Sequence, residues 1–423
     1  MKPDFKITKS GVRTLLVDNN TSPSVAIVVL AGVGSRYETD AEAGIAHFVE
    51  HTLFKGSEKY PTSKIIGMEI ELLGGTSNAF TSYDYTGYYI KIPKDNFEKS
   101  FEILADMINS PLFIESEIEK EKGVICEEIK MYNDLPRSRV SEIFTENLFA
   151  RHPLGRNIAG TQETVKATSR EQLRLFAEKY YTKANLLISI AGNFDKELAE
   201  ELCEIHFGSL PQGQTIEPQH FSNHRISKNL VVENKDLEQA HIVMGGYAPR
   251  RNSKNKYALQ IGNSILSYGF GSKLFQKIRD ELGLAYYIGA SISSYADTGR
   301  YSIALGTDKK NAKKAIEAIL TELESLIKGD FSDKDFERAR NYLLGSMTTD
   351  LEAAEDIAVW FGLQKLLKDE LLSVDEYINR LNSENRNSVI NAWREMLEGK
   401  EILIATLAPA NTDFSNLTAN INL

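Results

Sequence analysis

Five residues, His47-Phe48-Val49-Glu50-His51, carry the sharpest chemical signal in the chain. The surrounding stretch, GIAHFVEHTLFKGS, predicts a helix. His47 and His51 then stand on one helical face, about one turn apart. Two imidazoles so placed suit two ligands of one tetrahedral ion. Glu50, three residues after His47, shares that face and can reach water at such an ion without binding the ion itself. The order is the mirror image of H-E-x-x-H. The chain has seven histidines, and a chance H-x-x-E-H is expected in about one such chain in a hundred. A helix that merely happens to carry two histidines is therefore the weaker reading.

A hydrolytic zinc site needs a third protein ligand and one open position. The best candidate helix is Glu115–Met131, ESEIEKEKGVICEEIKM. Glu121 and Glu128 lie two turns apart along one face, on the side of Ile118 and Ile125. Glu115, Glu117 and Glu119 read as a solvated acidic surface with lysine partners. For Glu121 and Glu128 the spacing alone leaves a site role and a plain acidic face both open. Two other stretches read blandly by themselves. Gly74–Thr81, GGTSNAFT, is a glycine turn entering a strand, and Gly269–Tyr287 holds an ordinary helical Arg279 and a packed Tyr286. The GFG glycines are not a phosphate loop, because no Lys-Ser/Thr follows in register.

The elements that position these residues form a duplicated pattern. The 423 residues predict two or three domains. A Pro/Gln/Ser-rich stretch without periodicity, 212–228, reads as a linker between an N-terminal domain, 1–211, and a C-terminal domain, 229–423. Strand-turn-strand segments recur at Val17–Arg36 and Val232–Arg250. Strands recur at Asp84–Ile92 and Asp297–Leu305, and amphipathic helices at Asn96–Asn109 and Lys310–Lys328. Strands come in runs, so the class is α+β: two homologous domains, each an antiparallel-dominated sheet with helices packed on it. The positions equivalent to the metal motif in the second copy fall near Ile261–Ile265, and those equivalent to Glu121 and Glu128 are Ala339 and Ser346. One half carries the site and the other does not.

Composition removes several alternatives. Net charge is −10, which opposes binding to a phosphate backbone, so no nucleic-acid partner is expected. No apolar run reaches the length needed to span a bilayer, and the N-terminus shows no signal-peptide core. A cytoplasmic protein without a membrane partner is the expectation. Cys126 and Cys203 cannot build a disulfide framework and read as small buried side chains. His206, His220, His224 and His241 show no ligand spacing, His152 carries no catalytic role, and Trp360 and Trp393 read as packing residues.

Taken together, the motifs resemble the pitrilysin/insulinase family of zinc metallopeptidases, in particular its half-size members such as the mitochondrial processing peptidase subunits. In that family a glutamate follows the second histidine after 76 residues, and here 128 − 51 − 1 = 76. The resemblance implies His47, His51 and Glu128 as ligands of one Zn2+ per chain and Glu50 as general base toward the water it activates. It implies Glu121 as an outer carboxylate supporting the site. It also reads Gly74–Thr81 as an edge strand, with Asn78 and Ala79 pairing with substrate backbone, and Arg279 and Tyr286 as a pair that binds substrate and steadies the tetrahedral intermediate. The implied activity is zinc-dependent endopeptidase cleavage of peptides or unfolded short polypeptides in a chamber formed by two chains. The implied partner is a second copy in a homodimer, with a heterodimer of related subunits as the alternative. A non-catalytic scaffold of the same fold, or a processing subunit active only with a partner, are the competing readings.

Overall fold

The computed structural model describes residues 1–222, 225–226, 228–368 and 370–414. His224 and parts of the 212–228 linker lie outside the described residues. The chain opens with β1 (Asp4–Ile7), β2 (Arg13–Asp18) and β3 (Ser24–Ala31), then α1 (Ile45–Leu53) and α2 (Ser63–Leu72). The hairpin of β4 (Thr76–Thr81) and β5 (Thr86–Pro93) follows, then α3 (Phe97–Asn109), α4 (Glu115–Asp134) and α5 (Pro136–Leu148). Next come α6 (Gln162–Ala167), α7 (Arg170–Tyr180), β6 (Leu186–Gly192) and α8 (Lys196–Phe207). The second copy runs β7 (Leu230–Asn234), β8 (Gln239–Ala248), α9 (Lys256–Ser267), β9 (Tyr287–Ser294), β10 (Gly299–Asp308), α10 (Ala312–Lys328) and α11 (Asp333–Asp350). It ends with α12 (Ala354–Leu366), α13 (Val374–Ser383), α14 (Arg386–Leu397) and β11 (Leu403–Ala408).

The first sheet has the strand order β1-β2-β6-β3-β5-β4, and the second β7-β11-β8-β10-β9. Without β1 the two orders superpose: β2, β6, β3, β5 and β4 correspond to β7, β11, β8, β10 and β9. The parallel pairs are β2 with β6 and β7 with β11; the other pairs among the described residues are antiparallel. The α+β class with antiparallel-dominated sheets is as the sequence predicts.

Both faces of the first sheet are covered. This is why β3 (SVAIVVLA) and β6 (LLISIAG) are apolar along nearly their whole length instead of alternating. Val25, Ile27 and Val29 enter the core shared with Phe48, Phe101, Ile125 and Leu173. Their neighbours Val28 and Leu30 point the other way, onto Ile357, Ala358 and Phe361 of α12. Each such Val, Leu or Ile taken fully out of water stabilises the fold by about 1.5–3 kcal/mol.

The chain forms two compact units that are not contiguous in sequence. One comprises Met1–Lys130, Arg156–Gln219 and Asp350–Asp375; the other comprises Met131–Gly155, His220–Thr349 and the residues from Glu376 onward. Residues 212–228 fall between the two sheets in sequence, but α5 belongs to the second unit and α12 to the first. α12 lies close on the first sheet because Gly362 has no side chain; a Cβ there would sit 2.5 Å from Leu30 Cδ1. The Ser189 hydroxyl donates to the Ala358 carbonyl at 2.7 Å. In the second unit the Tyr247 hydroxyl donates to the Leu148 carbonyl of α5 at 2.7 Å. No described helix is long and apolar enough to cross a membrane.

Candidate metal centre

The site is built on α1. Ile45, Ala46, Phe48, Val49, Thr52 and Leu53 face the core. The helical period leaves His47, Glu50 and His51 on the opposite, half-buried side. The two imidazole rings stand 4.6 Å apart, centroid to centroid. α4 brings in the third group. Buried Ile118, Ile125 and Ile129 hold it against the core, and this turns Glu121 and Glu128 toward α1. Glu128 Oε2 lies 3.8 Å from His47 Nε2 and 3.6 Å from His51 Nε2. Ligand atoms around a tetrahedral zinc with ~2.0–2.1 Å bonds are about 3.3 Å apart. The three groups offer one ligand atom each, all within 4.8 Å of one another.

The surroundings fit a divalent cation. Burial, then the charge of His51, push His47 down to about 4, so its imidazole is neutral at pH 7 with a lone pair to give. Its Nδ1 is buried with no hydrogen-bond partner among the described residues. Glu121 is 5% exposed. Its Oε2 lies 3.0 Å from His51 Nδ1 and its Oε1 accepts from Lys55 Nζ at 2.7 Å. Burial alone raises the Glu121 carboxyl, but the bonds from His51 and Lys55 outweigh it and hold the group below the ordinary carboxylate value. A charged Glu121 keeps the proton of His51 on Nδ1 and leaves Nε2 free to bind. Glu121→Ala is expected to weaken zinc binding about 10–100-fold, the usual loss for such an outer partner. A chelator competition measures it, and unchanged affinity would reduce Glu121 to a packing role.

Glu50 is not in the ligand cluster. Its carboxylate accepts a hydrogen bond from the Thr81 hydroxyl at the end of β4. Burial raises its pKa against the opposing effects of Thr81 and His51, and Glu128 adds to the rise. A divalent cation beside it acts in the other direction. β4 pairs with β5 on one side, and its other edge carries no strand among the described residues. Asn78 is exposed and its Oδ1 accepts from the Ala79 N–H at 2.8 Å, while Ala79 is half-buried. The remaining pair lies in the second unit. Arg279 sits in a π-helical turn, Phe275–Glu281, with its guanidinium over the Phe275 ring. Tyr286 is 59% exposed, and its N–H donates to the Gly306 carbonyl.

The structure thus brings His47, Glu50, His51, Glu121 and Glu128 together in one unit, with Asn78 and Ala79 on the strand that ends at Thr81. Sequence patterning gives Lys55 and Thr81 no role. Lys55 had a signal, since it follows His51 by one turn. Thr81 closes the GGTSNAFT segment, but its reach to Glu50 depends on the β4–α1 packing. Glu117, Glu119 and Glu127 form ion pairs with Lys120, Lys122 and Lys130 along the surface of α4. Cys126 and Cys203 are buried and free, and Trp393 is 1% exposed, as expected. In the second unit Ile261 and Ile265, near the positions equivalent to the two histidines, and Ala339, equivalent to Glu121, are fully buried, and the half-buried Ser346 stands where the first copy has Glu128.

Residues 13–162 match the family model of the insulinase peptidases, family M16, and residues 167–343 match that of the peptidase M16 inactive domain. The uncharacterized zinc protease YmxG of Bacillus subtilis (strain 168) is 33% identical over 405 residues, covering 95% of this chain and 97% of that one. An uncharacterized zinc protease of Rickettsia bellii (strain RML369-C) is 37% identical over 353 residues, 82% of this chain and 84% of that one. The crystal structure of a protease from Helicobacter pylori superposes with a TM-score of 0.88 at 23% identity, covering 96% of this chain and 99% of that one, which shows the shared fold. The chain belongs to the insulinase family of peptidases, M16. Within it the chain is of the half-size, two-domain type, with the His47–His51–Glu128 cluster in the N-terminal copy; Ile261–Ile265, near the positions equivalent to the two histidines, fall inside the region that matches the inactive-domain model.

Proposed function

We propose that the chain is a zinc-dependent endopeptidase acting on peptides or unfolded short polypeptides. The observation that carries the reading is the convergence of His47, His51 and Glu128 on one point, with Glu50 beside them and held by Thr81 instead of by the ligand cluster. The names of the Bacillus and Rickettsia relatives support it. His47 and His51 would hold the ion through Nε2 and Glu128 through a carboxylate oxygen. When bound, zinc supplies a Lewis acid that polarises the scissile carbonyl and acidifies water. Glu50 takes a proton from the attacking water as its oxygen bonds to the carbonyl carbon. As the C–N bond breaks, Glu50 passes that proton to the leaving nitrogen. The free edge of β4, with Asn78 and Ala79, would hold an extended peptide by main-chain hydrogen bonds. That requires Asn78 Oδ1 to release the Ala79 N–H. Arg279 and Tyr286 of a second copy of the chain would donate to the developing oxyanion. One chain carries both half-sites, which supports a homodimer as the working form.

The test is metal content of the purified chain together with cleavage of a quenched fluorescent peptide before and after chelation. About one zinc per chain and chelator-sensitive cleavage is the expected result. Zinc without cleavage of any peptide in a varied set would favour a subunit that needs a different partner. Neither zinc nor cleavage would favour the scaffold. An active monomer in sedimentation velocity would remove the dimer and leave the peptidase standing.

A further inference from the structure

The helix that carries His47 and His51 starts in a way its own sequence does not explain. Its first N–H groups need acceptors, and these usually come from Ser, Thr, Asp or Asn at the position before the helix. That position is Gly44, with φ 93° and no side-chain cap. The acceptor comes from outside the helix. Glu38 is 4% exposed, and its Oε2 accepts from the Gly44 N–H while its Oε1 accepts from the Ala46 N–H, both at 2.9 Å. Ala46 directly precedes His47, so the metal-ligating imidazole hangs from the turn that Glu38 fixes.

A second segment clamps the same turn. Arg156 donates to the Glu38 carbonyl at 2.5 Å and to Asp40 Oδ1 at 2.6 Å. The Thr164 hydroxyl donates to the Ala43 carbonyl at 2.7 Å. The two backbones touch at glycines: a Cβ on Gly44 would lie 2.4 Å from the Ala159 carbonyl oxygen, and one on Gly160 would lie 2.2 Å from that of Ala43. Space and hydrogen bonding at this turn are therefore both specified, although no residue of the clamp belongs to the ligand cluster.

We propose that Glu38, braced by Arg156, is a positioning residue that fixes the first turn of α1 and thereby sets the zinc affinity of the His47–His51–Glu128 cluster. The inference rests on the zinc reading above. Glu38→Gln keeps the size of the side chain but sets an NH2 donor against one of the two helix N–H groups. A residue that merely stabilised the fold would lower melting temperature without changing metal affinity in the chain that remains folded. Asp195 supplies that control, because it caps α8 through the Leu198 N–H far along the chain from the ligands.

The test titrates zinc against a chromogenic chelator in the full-length chain for wild type, Glu38→Gln and Asp195→Ala. Amide hydrogen exchange of the zinc-free proteins is followed in parallel. Glu38→Gln is expected to weaken zinc binding about tenfold or more and to speed exchange selectively at the first turn of α1. Asp195→Ala should do neither. Zinc affinity within twofold of wild type, or unchanged exchange at that turn, overturns the proposal. If Glu38→Gln does not fold, Arg156→Gln decides by the same two readouts. If wild type binds no zinc, the functional reading fails while the exchange readout still decides whether Glu38 fixes the turn.

Discussion

Glu50→Gln is expected to lower peptide turnover about 10²–10⁴-fold, the usual contribution of general acid–base catalysis, and to leave about one zinc per chain. At roughly 1.36 kcal/mol per factor of ten, that is about 3–5 kcal/mol of barrier. The amide matches the carboxylate in shape and still offers an oxygen to the Thr81 hydroxyl, so the side chain stays where the wild-type group lies. What it lacks is the ability to take a proton from water and return one to the leaving nitrogen. Zinc should stay because the ligand atoms belong to His47, His51 and Glu128. KM should change little, since Glu50 adds nothing to main-chain pairing along β4. The two assays are steady-state cleavage and metal content by mass spectrometry. Near-normal turnover would remove Glu50 as the base, and loss of zinc would make it a ligand.

What could be read from the sequence follows from how local each feature is. His47, Glu50 and His51 lie within five residues, and helical geometry alone sets them on one face. Glu128 was different. Helix α4 explains why Glu121 and Glu128 face the same way, but nothing in its spacing says that it docks on α1. Only the family's separation of histidine and glutamate pointed to it. The duplication was legible because each copy repeats the same strand and helix pattern, and the matching sheet orders follow from it. The placement of α12 was not legible. Ile357, Ala358 and Phe361 mark it as a buried helix, but an apolar helix carries no statement of which sheet it covers. Glu38 left a negative signal, a helix start with glycine where a capping side chain is usual. Its acceptor lies six residues earlier and reaches back through a turn that sequence patterning does not describe.

Glu128→Ala, and independently His47→Ala, should lose both zinc and turnover, in contrast to Glu50→Gln. Each removes one of three ligand atoms and leaves two, fewer than the three protein ligands usual for a hydrolytic zinc site. The decisive readout is thermal. A ligand that binds only the folded chain stabilises it by RT ln(1 + [L]/Kd), about 2.7 kcal/mol at a hundredfold excess over Kd. Wild type should therefore melt higher with zinc than without it, and Glu128→Ala should melt at the same temperature in both. The zinc-free variant should be about as stable as zinc-free wild type, because Glu128 Oε2 lies 3.8 Å from His47 and 3.6 Å from His51, too far for a hydrogen bond to either. His47 adds a pH dependence. Burial and the His51 charge hold its pKa at about 4, so from pH 7 down to near 5 no proton on His47 competes with the metal. Over that range, loss of zinc would have to come from protonation elsewhere in the cluster. A zinc-dependent rise in melting temperature that survives Glu128→Ala would show that the third ligand is another group, with Glu121 the nearest carboxylate to His51.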